Sequence, residues 1–381
     1  RTAAGAAVLT QTFREGDYFC SSAVAVRAGA SVVSAEGPCD GTVSLTVPAA
    51  RGTTLVLIAS AASRDASTDV AALALAELDP AAGQPYEVLR EPHVRWWQGF
   101  WERSFVDIRT PDPVARTAER ARTLLLYLMA SSSRGALPPK WNGSIFSVHG
   151  DTRPWGSQYW VWTTEMPYFA LHAAGCSDLA DPFFAMYVAQ LPDCRAAARQ
   201  RWGCAGAFFG ETMPFDGPVV LPEDVAGEVR DVLAGRQPGS KLSARARRLG
   251  QFEGSLHVLC RGEDLAAGRY TWISHVCSSG AELAVHAWWR YRHTGDRQWL
   301  ASYAYPLLRD TAEFYRTLVT RGEDGLDHVH GTNVHEDFWG ATDSIMDLAA
   351  IRGTLPLAIR AAELLGVDAD LRQGWQGVLD R

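Results

Sequence analysis

The run His330-Gly-Thr-Asn333-Val-His335-Glu336-Asp337-Phe-Trp339-Gly340 gathers two carboxylates, two imidazoles, an amide and an indole between two helical stretches. Polar groups this dense on a loop suggest a catalytic acid presented by a helical scaffold, and the mixture suits cleavage of a glycosidic bond. Glu336 is the candidate proton donor. To hold its proton near neutrality it needs a raised pKa; Phe338 and Trp339 offer apolar cover and Asp337 adds a like charge, and both push upward. An inverting cleavage would also need an ionised carboxylate about 6.5–9.5 Å away, leaving room for water. Asn333, His335 and Trp339 are candidate sugar contacts. The plainer reading of Glu336 is an exposed acid that favours a helix dipole.

A second polar stretch runs from Pro138 to Trp162 and places Trp141, Trp155, Trp160 and Trp162 among Asn142, Asp151, Arg153 and Gln158. Indole faces suit the apolar faces of sugar rings, and the amides and charges suit hydroxyls. Trp141, Asn142, Asp151, Trp155 and Trp162 are therefore candidate substrate contacts. A loop from Gly206 to Gly217 adds Glu211 and Asp216, with Glu211 expected to line the cleft. His286 lies in an apolar helical pattern and reads as a core histidine. His328, His330 and His335 lack a fourth ligand at a recognisable spacing, so neither a metal nor another cofactor is expected.

The elements that must position these groups fall into two kinds. Up to about Ser60 the apolar pattern is strand-like, at 7–12, 23–26, 42–47 and 53–58, and reads as part of a β-sheet domain. A helix from Asp69 to Leu78 and an aromatic connector from Pro85 to Phe105 follow. Beyond it, Val114, Ala118, Ala121, Leu125 and Leu128 recur with the spacing of one buried helix face. Ser279-Gly-Ala-Glu282 has the capping-box pattern at the start of another helix, on which Ala284, Trp288 and Tyr291 share a face. Three segments around Gly175, Gly295 and Gly366 each stop a helix at glycine and restart one after an Asp, the signature of helical hairpins. Repeated hairpins after a sheet suggest a ring of paired helices.

Composition sets outer limits. The chain has 381 residues, 47% hydrophobic and 21% charged, enough for a large core, with a formal net charge of -7. That charge disfavours nucleic acid as a partner, and no apolar stretch of membrane-spanning length occurs. Lys140 and Lys241 are the only lysines. Seven cysteines lack metal-site spacing, although Cys20 with Cys39, or Cys194 with Cys204, could pair in an oxidising compartment. Extracellular and cytoplasmic placements both stay open, secretion being preferred. Because the chain begins at Arg1, it is expected to be processed or a fragment.

Several motifs together resemble a known family. Trp155-Gly-Ser-Gln-Tyr159 with Thr164-Glu165-Met166-Pro-Tyr168, Tyr291-Arg-His-Thr-Gly-Asp296 with Tyr305-Pro-Leu-Leu-Arg-Asp310-Thr-Ala-Glu313-Phe-Tyr315, and His335-Glu336-Asp337 look like the inverting α-L-fucosidases of glycoside hydrolase family 95 and their bacterial relatives. The resemblance runs from about Thr54 to the end. It implies a mainly α fold: residues 1–65 ending an N-terminal β-sandwich, 66–105 a helical and aromatic linker, and 106–381 an (α/α)6 barrel of the six-hairpin glycosidase type, truncated at its C-terminus. It also implies that Glu336 protonates the departing oxygen of an oligosaccharide or polysaccharide. The family's water-orienting Asn residues have no counterpart in Trp160 to Glu165, a departure that bears on fucoside specificity. The base is expected beyond Arg381 or among the unassigned acids. A phosphorylase or polysaccharide lyase on the same helical ring, and a carbohydrate-binding protein without catalysis, are the other classes.

Overall fold

A computed structural model describes residues 2–3, 6–15, 18–28, 34–39, 42–46, 51–140, 159–249, 275–334 and 338–381. The chain forms two compact units, Arg1–Arg103 and Ser104–Arg381.

In the first unit, strands β1 (Thr2–Ala3), β2 (Ala6–Glu15), β3 (Tyr18–Ala28) and β6 (Val56–Ser63) make one antiparallel sheet in the order β1-β2-β3-β6, and β4 (Ser34–Cys39) pairs separately with β5 (Thr42–Thr46). The register Ala7↔Val26 through Glu15↔Tyr18 extends β2 and β3 past the apolar runs that mark them in sequence. Cross-strand pairing carries polar residues such as Gln11 and Ser22 along with the apolar ones. Alternation turns Ala6, Val8, Ala23 and Ala25 to one face, where Val70, Ala71, Ala74 and Leu78 of helix α1 (Val70–Leu78) close over them. The small side chains on both sides let helix and sheet approach closely. Asp69 caps α1 by accepting the amides of Ala71 and Ala72 at 3.0 and 3.1 Å. Helix α2 (Tyr86–Arg103) carries the aromatic connector; Trp96 stacks on Phe100 and Trp97 on Trp101, four residues apart, with centroids 5.5 and 5.8 Å apart.

The second unit is mostly helical: α3 (Pro113–Ser132), α4 (Val161–Glu165), α5 (Phe169–Ala173), α6 (Asp181–Ala189), α7 (Leu191–Ala197), α8 (Glu223–Leu233), α9 (Ala244–Leu249), α10 (Ser279–Thr294), α11 (Arg297–Trp299), α12 (Tyr305–Leu318), α13 (Ile345–Leu365) and α14 (Ala369–Leu379). Helices α10, α12, α13 and α14 pack together and bury residues such as Leu283, Leu308, Phe314, Leu355 and Trp375. Gly295 ends α10 and Gly366 ends α13 in the left-handed conformation, with φ of 66° and 74°. The Asp that follows each does different work. Asp296 caps α11 through Gln298 and Trp299, whereas the carboxylate of Asp368 turns to the Tyr305 hydroxyl and the Arg309 guanidinium. Around Gly175 the turn joins the short α5 to a 3-10 segment, Ser177–Ala180. Among the described residues no helix is long and apolar enough to cross a membrane.

Three expectations are corrected. On α3 the buried face is Leu126, Met129 and Ala130, while Val114 is 72% exposed and Ala118 and Ala121 face solvent. Apolar residues occur on more than one side of that helix, so spacing alone picks the wrong stripe. The N-cap of α10 is Ser278, not Ser279, and the capping box does not form. Finally, Cys20, Cys194 and Cys204 are free thiols. The last two are buried, and the Cys204 thiol turns to the Trp202 carbonyl at 3.6 Å.

Candidate active site

Four stretches far apart in sequence converge on α10 and the short strands beside it. Strand β7 (Tyr159–Trp160) pairs with β8 (Thr212–Met213), and the Val161 amide donates to the Glu211 carbonyl at 2.8 Å, which sets Glu211 at the N-terminus of α4. The Glu211 carboxyl then accepts the Trp162 amide at 3.1 Å through Oε1 and the Ser279 hydroxyl at 3.1 Å through Oε2. A buried carboxyl must find donors, and here it draws Ser279 away from helix capping. The neighbouring Ser278 hydroxyl donates to Glu282 Oε1 at 3.0 Å.

Glu165, at the other end of α4, is also buried, with Oε2 3.5 Å from His286 Nδ1. Burial pushes the Glu165 carboxyl up to about 8. Glu211 is also pushed up to about 8, first by burial, then by Glu282 and more weakly by Glu165, against the opposing donors Trp162 and Ser279. Both carboxyls hold their protons at neutral pH, and such groups can donate a hydrogen bond or a proton. Trp162, whose backbone amide Glu211 accepts, is itself 51% exposed.

The fourth stretch follows the short antiparallel pair β9 (Thr320–Arg321) and β10 (Asp327–His328) and is a hairpin of β11 (Thr332–Val334) and β12 (Phe338–Ala341). Val334 pairs with Phe338 and Asn333 with Trp339, and Asn333 also bridges Val276, three residues before Ser279. Asn333 is 1% exposed and so stands in the interior behind the hairpin. The hairpin base is pinned to α13: Asp347 Oδ2 accepts the Thr332 and Ser344 hydroxyls, each at 2.6 Å. Beside it, Asp343 accepts the Val329 amide at 2.8 Å and meets His328 Nδ1 at 2.6 Å, while His328 Nε2 lies 3.1 Å from Asp324. Hydrogen bonds to Asp343 and Asp324 raise the His328 pKa, so both ring nitrogens are committed to carboxylates. Among the described residues no group of His, Cys, Asp or Glu is arranged to hold a metal ion.

Of the residues singled out from sequence, Trp162 and Glu211 come together and Asn333 is linked to them through Val276 and Ser279. Trp339 contributes backbone to β12, its side chain lying outside the described set. Glu336, His335, Trp141, Asn142, Asp151 and Trp155 also lie outside the described residues. Glu165, Glu282 and Ser279 were missed. A signal for one of them existed: Glu282 and His286 stand four apart and so share a face of α10.

Solved structures share this architecture. A candidate kojibiose phosphorylase from the human microbiome superposes with a TM-score of 0.61 at 9% identity, over 97% of this chain and 46% of that one. In sequence, residues 262–381 match the glycosyl hydrolase family 95 catalytic domain. Alpha-L-fucosidase 2 of Arabidopsis thaliana is 30% identical over 100 residues, 24% of this chain and 12% of that protein. Kojibiose hydrolase of Flavobacterium johnsoniae is 32% identical over 104 residues, 26% of this chain and 14% of that protein. The matched stretches are thus a small part of those relatives.

Proposed function

We propose that this chain is part of a glycoside hydrolase that removes a terminal, α-linked, fucose-like or related sugar from an oligosaccharide with inversion, Glu336 acting as general acid. The observation that carries the reading is the family-95 match over 262–381, which includes the loop of Glu336. In the same reading, residues 106–381 are part of an (α/α)6 barrel, 1–65 the end of a β-sandwich and 66–105 the linker between them. Trp162 offers a stacking face, and Trp141, Asn142, Asp151, Trp155, His335 and Trp339 contribute to substrate binding, while Asn333, expected from sequence to touch sugar, is buried and instead ties the hairpin to Val276. Glu211, protonated at neutral pH, donates a hydrogen bond to a sugar hydroxyl. Because burial also keeps Glu165 protonated, neither of these two suits the role of ionised base, which falls to another carboxylate.

The test is an NMR screen of the whole chain against fucosylated glycans and kojibiose, with and without phosphate, comparing the native protein with Glu336→Gln. The expected result is phosphate-independent release of sugar with inverted anomeric configuration. Turnover should fall by about 10²–10⁴ in the variant, with the fold unchanged. A variant that retains turnover removes Glu336 from the mechanism, and phosphate-dependent release moves the chain to the phosphorylases.

A further inference from the structure

Behind the candidate site, four side chains from four elements form a line through the core. The Ser177 hydroxyl lies 3.1 Å from His172 Nδ1. His172 Nε2 lies 3.1 Å from His286 Nε2, and His286 Nδ1 faces Glu165 Oε2 at 3.5 Å. Among the described residues, neither of those last two atoms has a hydrogen bond elsewhere. An aromatic sheath of Phe169, Phe183, Phe184 and Trp289 surrounds the His286 ring. The His172 end lies nearer the surface, where Ser177 is 9% exposed and the ring of exposed His293 is centred 5.9 Å from that of His172.

We infer that His172 and His286 form a proton relay through which the buried carboxyl of Glu165 exchanges its proton with the Ser177 end of the core. The inference goes beyond the glycosidase reading and does not depend on it.

An Nε2 to Nε2 hydrogen bond between two imidazoles requires one ring to donate and the other to accept. That leaves two consistent arrangements. With Glu165 ionised, His286 donates from Nδ1 to Glu165 and accepts at Nε2 from the Nε2–H of His172; the bare Nδ1 of His172 accepts the Ser177 hydroxyl. With Glu165 protonated, every polarity reverses: the carboxyl donates to His286 Nδ1, His286 donates from Nε2 to His172, and His172 donates from Nδ1 to Ser177. A proton taken up at His172 Nδ1 shifts the Nε2 proton of His172 onto His286 Nε2. The Nδ1 proton of His286 then moves onto Glu165. One proton enters, one arrives, and both rings end neutral in the opposite tautomer.

The surroundings favour neutral rings. Burial pushes His286 down to about 3. His172 is also pushed down to about 3, by burial and by His286, Arg290 and His293. On the carboxyl side Glu165 faces His286, and Glu211 and Tyr187 feel its charge. Because Glu165 and Glu211 interact, the relay sets the protonation of a group on which the charge of the candidate site depends.

The experiment is ¹⁵N NMR of the whole chain labelled at histidine, titrated from about pH 6 to about pH 10, across the value of about 8 to which burial pushes the Glu165 carboxyl. His172 and His286 should stay neutral and exchange their protonated and bare nitrogens with one shared midpoint. In Glu165→Gln the exchange of tautomers should vanish while the other histidine signals hold their positions. A single tautomer for both rings across the range, or an imidazolium at either, overturns the relay. Should Glu165→Gln fail to fold, infrared difference spectra of His286→Phe give a second reading. Deuterium entry into the Glu165 carboxyl should slow by about tenfold or more, because it must then wait for local opening of the core. An unchanged rate refutes the proposal.

Discussion

Four buried groups, Glu165, Glu211, His172 and His286, give the folded state a defined pH response. The carboxyls rise from 4.5 to about 8 on folding, so the stability they contribute is complete below pH 4.5 and is lost as pH climbs to about 8. The imidazoles fall from 6.5 to about 3, so their contribution is complete above pH 6.5 and is lost as pH drops to about 3. The opposing slopes overlap between pH 4.5 and 6.5. Thermal melts across pH should therefore show a plateau there, a decline on the acid side, and a second decline from about 6.5 to about 8. Glu211→Gln should flatten the alkaline decline by about half; an unaltered slope would assign it to other groups. At this scale the sequence discloses residue types and little about their state. Glu211 is legible as an acid on a polar loop, and the spacing of Glu282 and His286 is visible once a helix is assigned. That Glu165 is buried, and that Ser279 serves Glu211 and not its own helix, depends on residues about seventy to a hundred and twenty positions away in the chain, as the Glu211–Ser279 and Glu165–His286 contacts demonstrate.

Two turns decide whether the elements can hold those residues. Gly206 starts the loop that carries Glu211; its φ is +73°, and a Cβ there would fall inside contact distance of the Asp310 carbonyl oxygen and the Phe314 amide nitrogen. Backbone cannot yield as a flexible side chain can, so Gly206→Ala should cost about 3 kcal/mol or more in urea unfolding. It should also displace Glu211. The other turn is the base of the β11–β12 hairpin, where Asp347 is buried and accepts two hydroxyls. Asp347→Ala strands the Thr332 hydroxyl and should cost about 2–4 kcal/mol, measured the same way. Helix ends marked by glycine, at Gly295 and Gly366, are readable from sequence because only a residue without Cβ occupies the left-handed cap easily. The buried stripe of α3 is not readable, because it depends on what lies alongside.

The whole molecule joins two bodies with cores of different quality. Arg1–Arg103 is held by a cluster in which Ala6, Ala23, Ala25, Ala71 and Ala74 predominate, whereas Ser104–Arg381 buries Tyr168, Phe183, Phe184, Tyr315 and Trp375. Less apolar area per residue leaves less to offset chain entropy. Calorimetry should resolve two transitions, the lower belonging to Arg1–Arg103, with proteolysis near that temperature cutting there first. One joint transition would mean that the units unfold together. The change from strand-like to helical patterning was legible at this scale because it repeats over many residues.

The free thiols give the second unit a chemical clock. Cys176, Cys194, Cys204 and Cys277 are all buried; burial pushes Cys204 up to about 11 and raises Cys194 and Cys277 well above the usual thiol range. Alkylating reagents attack thiolate, so these sulfurs stay silent until the region around each one opens. Cys194 reports on α7, and Cys277 on the approach to α10 beside the hairpin. Mass spectrometry of pulse-alkylated protein thus turns each peptide into a local measure of opening, and shows whether the floor of the candidate site breathes alone or only when the helices part.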